Sequence, residues 1–135
     1  MRILVDTSVW SFALRRQPGV VNPESIALKR LIEDGQDIYL LGIILQEMLQ
    51  GIKNPRDFHA LKEHFETFPL IELIRDDYIK AAELKNHLMK KGKQAGTIDI
   101  LIASAAISYD CYLFTNDKDF EHIAKHSRLK LFKNY

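Results

Sequence analysis

Short apolar segments of strand character alternate with segments of helical periodicity along this chain, and that alternation restricts the possible folds more than any other feature. Strands are predicted at residues 3–5, 37–42, 70–74, 111–114 and 129–132. Asn-Pro pairs at 22–23 and 54–55 are typical of helix starts, since asparagine caps a helix and proline fits its first turn. The alternation favours βαβ units, and hence an α/β domain with a parallel sheet flanked by helices.

The helices are predicted with approximate limits only. They extend from 23 to about 35, over 43–51, from 55 onward, over about 77–91, over 98–109 with Thr97 as N-cap, and over a short segment after 119. The first strand is expected to run into a loop at 6–8, where the residues are typical of turns and caps.

Composition excludes several classes of protein. The 135 residues predict one domain over 1–135, and 47% hydrophobic with 27% charged residues is ordinary for a globular protein. A net charge of +1 argues against a polycation, and the lone Cys111 excludes an internal disulfide or a multi-cysteine zinc site. No apolar run is long enough for a membrane helix, and an acid at position 6 does not fit a signal peptide, so a cytoplasmic protein without membrane contact is expected.

Five acidic residues are predicted to lie near the carboxyl edge of the sheet, where parallel α/β folds bind ligands. Asp6 directly follows the first strand, and Asp117 and Asp119 follow the strand at 111–114. Glu47 lies about one turn into an otherwise apolar helix, and Asp99 lies in the first turn of another. These positions make the five acids candidates for one shared site.

Converging carboxylates would need compensation, because two charges about 4 Å apart repel by roughly 4 kcal/mol at an effective dielectric of about 20. Such a group must take up protons, pair with arginines or bind a cation, and oxygen ligands favour Mg²⁺ or Mn²⁺ over zinc. Metal ions held in this way promote phosphodiester chemistry. The residues alone therefore indicate Mg²⁺-dependent phosphoryl chemistry without naming a substrate.

Simpler roles compete for several of these acids. Asp99 could merely stabilise a helix dipole, and Asp117 or Asp119 could cap the short helix that follows them. Glu47 fits such a role less well, because an acid in so apolar a helix is costly unless it is paired.

Four segments together resemble the acidic motifs of PIN-domain ribonucleases. They are residues 5–10 (VDTSVW), 47–51 (EMLQG), 97–104 (TIDILIAS) and 113–120 (LFTNDKDF), and they occur in the order found in that family. The match extends from residue 3 to residue 120, and the small size is similar to that of VapC toxins from toxin–antitoxin pairs.

The resemblance implies a five-stranded parallel sheet and an endoribonuclease that needs Mg²⁺ or Mn²⁺. It also implies an RNA substrate, a homodimer and inhibition by a VapB-type antitoxin. Its catalytic and metal-binding quartet matches Asp6, Glu47, Asp99 and Asp117, and Asp119 matches a more variable acid. Thr7, Ser8 and Thr115 match hydroxyl residues that support the site.

Basic residues near these motifs are candidates for contacts with RNA phosphates. The candidates are Arg15, Lys53, Lys91 and Lys93. For Arg15 and Lys53 solvated surface charge is at least as good an explanation, whereas the loop with Lys91 and Lys93 is the best candidate for attracting phosphates. His122 and His126 have the i, i+4 spacing of a metal-binding pair, but a solvated helix face is favoured because no third ligand lies nearby.

Two other functions compete with the nuclease. A haloacid-dehalogenase-like phosphatase also places an aspartate after its first strand, but it usually has a second aspartate two residues later, where this chain has Ser8. A non-catalytic module that binds RNA or protein would use the acids only as caps. Such a module would keep its binding, and have no cleavage to lose, when Asp6 or Asp99 is replaced by asparagine.

Overall fold

Five strands and seven helices alternate along residues 1–14 and 22–133, the part of the chain that the computed structural model describes. They are β1 Arg2–Val5, α1 Thr7–Leu14, α2 Pro23–Glu33, β2 Asp37–Leu41, α3 Gly42–Leu49, α4 Pro55–Phe65, β3 Leu70–Ile71, α5 Arg75–Lys90, α6 Thr97–Ser108, β4 Tyr112–Phe114, α7 Asp119–Lys125 and β5 Lys130–Leu131. The predicted α/β alternation is confirmed.

The strands form one sheet in the order β3-β2-β1-β4-β5, and every pairing is parallel. β1 is the central strand: Ile3 lies opposite Ile38 on one side and Tyr112 on the other. Ile3, Leu4 and Val5 are completely buried, as expected for a strand covered by helices on both faces. All five carboxyl ends therefore lie at the same edge of the sheet.

Helix α1 was not predicted, and the expected loop at 6–8 is wrong. The Asp6 carbonyl accepts hydrogen bonds from the amides of Val9 and Trp10, so the chain turns into a helix directly after β1. Val9 and Trp10 are buried, and their packing outweighs the low helix propensity of β-branched and aromatic residues.

Other helix and strand limits differ from the prediction by a few residues. Gly96, not Thr97, is the N-cap of α6, and Thr97 is the first helical residue. β3 ends at Ile71 and α5 begins at Arg75, because Asp77 accepts a hydrogen bond from the Ile74 amide at 2.9 Å and so closes the first turn. α3 ends at Leu49 rather than 51, and β5 is confined to Lys130–Leu131.

Asp77 also joins α5 to the end of α6. The Tyr109 hydroxyl donates to Asp77 Oδ2 at 2.7 Å, the same oxygen that accepts from the Ile74 amide. These two hydrogen bonds, the backbone bond first, lower the pKa of Asp77. The carboxylate is therefore charged and holds α5 against α6, the helix that carries Asp99.

Trp10 is the largest fully buried side chain of the core, with 1% of its surface exposed. Its indole makes edge-on contacts with Phe65 and Phe68, with ring centroids 5.0 and 5.2 Å away, and with His64 at 6.2 Å. Its Nε1 has no hydrogen-bond partner in the described part of the chain. Trp10 thus fixes α1 to the end of α4 through apolar and aromatic contacts alone.

No helix in residues 1–14 or 22–133 has both the length and the apolar character needed to cross a membrane.

Candidate functional site

Asp6 lies at the centre of the carboxyl edge of the sheet. Its amide donates to the Phe114 carbonyl at 2.9 Å, which extends the pairing of β1 with β4 by one residue, and its carbonyl begins α1. The backbone is therefore fixed on both sides of this residue. The side chain is 7% exposed, so a carboxyl group is buried between the strand ends.

The other four acids come from three helices and one loop around this point. Glu47 is on α3, Asp99 is in the first turn of α6, Asp117 lies between β4 and α7, and Asp119 is the first residue of α7. Oxygen atoms of Asp99, Asp117 and Asp119 lie within 4.8 Å of one another, close enough to bind one ion. The sequence made Asp119 a peripheral member of the site, whereas the structure brings it into this closest group.

The pKa of Asp99 is raised by burial and by the charges of all four other acids. Burial, followed by the negative charges of Asp117, Asp6, Asp119 and Glu47, raises the pKa of Asp99 to about 6. A residue that merely stabilised the dipole of α6 would have its charged form favoured. The opposite shift means that Asp99 lies in a site that disfavours its charge.

No cation in the described part of the chain pairs with this cluster. Among residues 1–14 and 22–133, no lysine, arginine or histidine forms an ion pair with any of the five carboxylates. Since mutual repulsion is the alternative, the acidic cluster is a fit site for a divalent cation with oxygen ligands.

Two hydroxyl groups hold the Asp6 carboxylate. Ser8 Oγ and Thr115 Oγ1 each donate to Asp6 Oδ2 at 2.9 Å, and the two hydroxyl oxygens are 3.3 Å apart. Asp6 Oδ1 accepts no hydrogen bond from the described residues and is left for another ligand. Thr7 Oγ1 donates to Glu47 Oε1 at 3.3 Å. Each of the three predicted hydroxyl residues therefore donates a hydrogen bond to one of the five acids.

Backbone amides complete this arrangement, and no sequence pattern indicated them. The Asn116 amide donates to Ser8 Oγ and the Asp117 amide to Thr115 Oγ1, both at 3.0 Å. These bonds fix the loop after β4 against the start of α1. The same loop also contains a turn in which Asp117 Oδ1 accepts from the Asp119 amide at 2.9 Å. Asp117 thus binds the first amide of α7, close to the capping role considered above, and its carboxylate also lies near that of Asp99.

We expect Thr115→Val to lower the free energy of unfolding by about 1.5–3 kcal/mol, since it removes a hydrogen bond to a buried carboxylate while keeping the side-chain shape. Urea denaturation measures the change. Thr67→Val is the matched control, because the Thr67 hydroxyl donates to the exposed His64 carbonyl at 2.9 Å and its loss should cost about 1 kcal/mol or less. Equal losses in the two variants would contradict the special position of Thr115.

The raised pKa of Asp99 predicts how stability without metal depends on pH. An unfolded aspartate titrates near 3.8 and Asp99 in the folded protein near 6, so between these values only the folded state keeps the proton. Raising the pH through this range therefore destabilises the protein, and the effect levels off only once the pH has risen well above the folded pKa of about 6. In EDTA, the Tm of the wild type relative to Asp99→Asn should fall across this range. A difference that does not change with pH would contradict the shift.

The predicted basic residues have different positions. Lys53 is exposed in the loop between α3 and α4, whereas Lys91 and Lys93 are exposed in the loop that leads to α6 and Asp99. Arg15 lies outside the described residues. His122 and His126 belong to no group of three or more metal-ligating side chains in the described chain.

Fold and site together define a class: a parallel α/β domain with an acidic cluster at the carboxyl edge of its sheet. The family model of the PIN domain matches residues 3–126. The chain therefore belongs to the PIN domain family, and the resemblance in its sequence motifs is confirmed. No curated protein matches the sequence.

Solved structures share the fold over nearly the whole chain. VapBC2 from Rickettsia felis, bound to a DNA fragment from their promoter, is similar with a TM-score of 0.78 and 24% identity, covering 98% of both chains. FitAcB from Neisseria gonorrhoeae has a TM-score of 0.69 and 26% identity, covering 97% of this chain and 96% of that one. VapBC-5 from Mycobacterium tuberculosis, a member of a family of toxin–antitoxin systems, has a TM-score of 0.69 and 18% identity, covering 98% of both.

Proposed function

We propose that this protein is a Mg²⁺-dependent endoribonuclease that hydrolyses RNA phosphodiester bonds. The observation that carries the proposal is the cluster of five carboxylates, which form no ion pair within residues 1–14 and 22–133 and in which the pKa of Asp99 is raised to about 6. Membership of the PIN domain family supports the same activity. A site that disfavours its own charge gains from a divalent cation, and a phosphodiester needs one to approach such a site.

Asp6, Glu47, Asp99 and Asp117 would hold the metal, with Asp119 as a further ligand. Their oxygen atoms suit Mg²⁺, and Mn²⁺ could replace it. When bound, the ion would supply Lewis-acid activation of the phosphodiester and of the attacking water. The identity of the ion follows from the ligand chemistry alone.

Residues of the chain position the acidic side chains before substrate binds. Ser8 and Thr115 fix Oδ2 of Asp6 through their hydroxyl groups, so that Oδ1 keeps one position at the centre of the site. Thr7 orients Glu47 in the same way. Because these side chains are positioned before substrate binds, little reorganisation is needed when the phosphate arrives.

We further propose that the protein is the toxin of a VapBC-type pair, acting on RNA in the cytoplasm as a homodimer and inhibited by a VapB-type antitoxin. The likeness to VapBC complexes from Rickettsia felis and Mycobacterium tuberculosis supports this role. Co-purification with the product of a short reading frame directly upstream, and loss of RNA cleavage in that complex, would test it. Light scattering of the purified protein would test the dimer.

The decisive experiment for the nuclease uses purified protein and end-labelled RNA, in Mg²⁺ and in EDTA. Cleavage is expected in Mg²⁺ only, and Asp99→Asn should lower it by on the order of 10²–10³-fold, the effect of losing one charge-stabilising group. Equal cleavage by wild type and variant would mean a contaminating nuclease. A chromogenic phosphate monoester serves as the second substrate, because hydrolysis of that compound in place of RNA would indicate the phosphatase instead.

A further inference from the structure

Five basic side chains come together at the far end of α7 from the acidic cluster, and we call them the basic patch. They are His87 on the last turns of α5, Lys91 and Lys93 in the loop between α5 and α6, and Lys125 and His126 at the end of α7. Four of the five are exposed, and His126 is half-buried. Three separate segments of the chain thus contribute to one surface.

Hydrogen bonds fix the backbone beneath the basic patch. His87 Nε2 lies 3.2 Å from the His126 carbonyl oxygen and joins the end of α5 to the end of α7. The amides of Lys91 and Lys93 both donate to the Leu88 carbonyl, at 3.0 and 2.9 Å, and Gly92 between them has a φ of +70°. The loop therefore folds back on α5 and keeps both lysines beside His126.

The charge of the basic patch is not neutralised by nearby acids. In the described residues, Lys91, Lys93 and Lys125 form no ion pair, whereas Lys130 and Lys133 pair with Asp110 and Glu121 at 2.7 Å. Burial, followed by the charges of Lys93, Lys91, His87 and Lys125, lowers the pKa of His126. Next to burial, the four neighbouring basic groups thus also disfavour the charged form of His126, as expected where basic side chains lie close together.

The basic patch lies close to the acidic cluster along the surface. Helix α7 begins at Asp119 and is followed by His126, and at 1.5 Å per residue the two positions are about 10 Å apart. The loop with Lys91 and Lys93 leads into α6 within a few residues, and Asp99 lies in the first turn of α6. A strand of nucleic acid held at the acidic cluster can therefore reach the basic patch.

We propose that the basic patch binds backbone phosphates of the RNA strand that extends beyond the scissile bond. The inference rests on the proposed function, because it takes RNA as the ligand. It adds to that function a place where positive charge on the protein offsets the repulsion between the acidic cluster and the negatively charged RNA. An acidic segment of an antitoxin is the other polyanion that could bind here, and the experiments below separate the two.

The first experiment measures binding without cleavage. Fluorescence anisotropy of a labelled single-stranded RNA in EDTA is recorded across a range of salt concentrations for the wild type and for Lys91→Gln/Lys93→Gln/Lys125→Gln. Each lost phosphate contact should reduce the slope of log K against log salt by about 0.7, so the triple variant should lose about 2 units of slope. We expect its affinity to fall at least about tenfold at low salt.

The matched control is Lys29→Gln/Lys62→Gln/Lys80→Gln. It removes the same charge from three exposed lysines, each in an ion pair with an acid one helical turn away. Such exposed pairs contribute little to stability, so this variant should fold and bind RNA almost as the wild type does. If the two triple variants lose slope and affinity equally, the patch proposal is wrong and only net charge matters.

The second experiment measures cleavage of a long RNA and of a dinucleotide, which is too short to reach the basic patch from the acidic cluster. The variant of the basic patch should lose kcat/KM on the long RNA at least about tenfold and keep that on the dinucleotide. Equal losses on both substrates would overturn the proposal, and so would unchanged RNA binding combined with a weakened antitoxin complex. Absence of RNA cleavage by the wild type in Mg²⁺ would instead count against the proposed function, while the anisotropy slopes still decide the patch.

Discussion

Asp99→Asn is expected to yield a protein that is more stable than the wild type without metal at pH 7 and gains little from Mg²⁺. The substitution removes one of five mutually repelling charges, and so it lowers the electrostatic repulsion in the folded state. Asp99 is the residue at which burial, together with this repulsion, raises the pKa to about 6. The substitution also removes a carboxylate that we propose as a ligand of the metal. Calorimetry in EDTA and then in increasing Mg²⁺ measures both effects on one protein.

The wild type should behave in the opposite way. A ligand that binds only the folded state at about 100 times its Kd adds roughly 2.7 kcal/mol to the free energy of unfolding, so the Tm should rise clearly with Mg²⁺. An Asp99→Asn variant that is less stable in EDTA, or that gains as much from Mg²⁺ as the wild type, would contradict the assignment of Asp99 to a metal site.

Asp57→Asn is a matched control for this experiment. Asp57 occupies the third position of α4, as Asp99 does in α6, but it is exposed and lies outside the acidic cluster. There the charge favours the helix dipole, so its removal should lower stability by about 0.3–1 kcal/mol and leave the Mg²⁺ response unchanged. The same substitution at equivalent helix positions should thus have effects of opposite sign.

Trp10→Ala is expected to have the largest effect on stability, a loss of about 3–5 kcal/mol, because it leaves a cavity in the core between α1 and α4. The indole is 1% exposed and contacts Phe65 and Phe68 edge-on. Denaturation in urea measures the loss, and the midpoint should fall without a large change in the slope m.

Trp10→Phe separates packing from hydrogen bonding. Since Nε1 of Trp10 has no hydrogen-bond partner in the described chain, phenylalanine should retain most of the stability. A loss in Trp10→Phe as large as that in Trp10→Ala would mean that the indole contributes something other than apolar contact. Trp10→Ala within about 1 kcal/mol of the wild type would contradict its central place in the core.

The sequence was sufficient to predict the sheet because each strand is a short apolar run bounded by turn or helix signals. It also predicted that Asp6 and Asp117 would lie at one edge, since both follow strands that proved to be neighbours. What it could not supply is contact between distant segments. Ser8 and Thr115 meet at Asp6 across more than a hundred residues, and no local pattern encodes that meeting.

Helix α1 shows a different limit of the sequence. The sequence predicted a loop at 6–8 because its residues are typical of turns and caps, and residues 7–14 include threonine, valine, tryptophan and phenylalanine, which have low helix propensity. The helix forms because Val9 and Trp10 are buried against the rest of the protein. The basic patch was likewise only partly predictable. The sequence indicated Lys91 and Lys93, but Lys125 and His126 lie beside them only because α5 contacts the end of α7.

The central position of β1 has a consequence for how the protein folds during its synthesis on the ribosome. β1 is synthesised before its neighbour β4, whose residues follow it by more than a hundred positions, so one side of β1 stays uncovered until that later segment has been made. Asp117 and Asp119 emerge last among the five acids. A nascent chain therefore carries no assembled acidic cluster until β4 and the loop after it have left the ribosome.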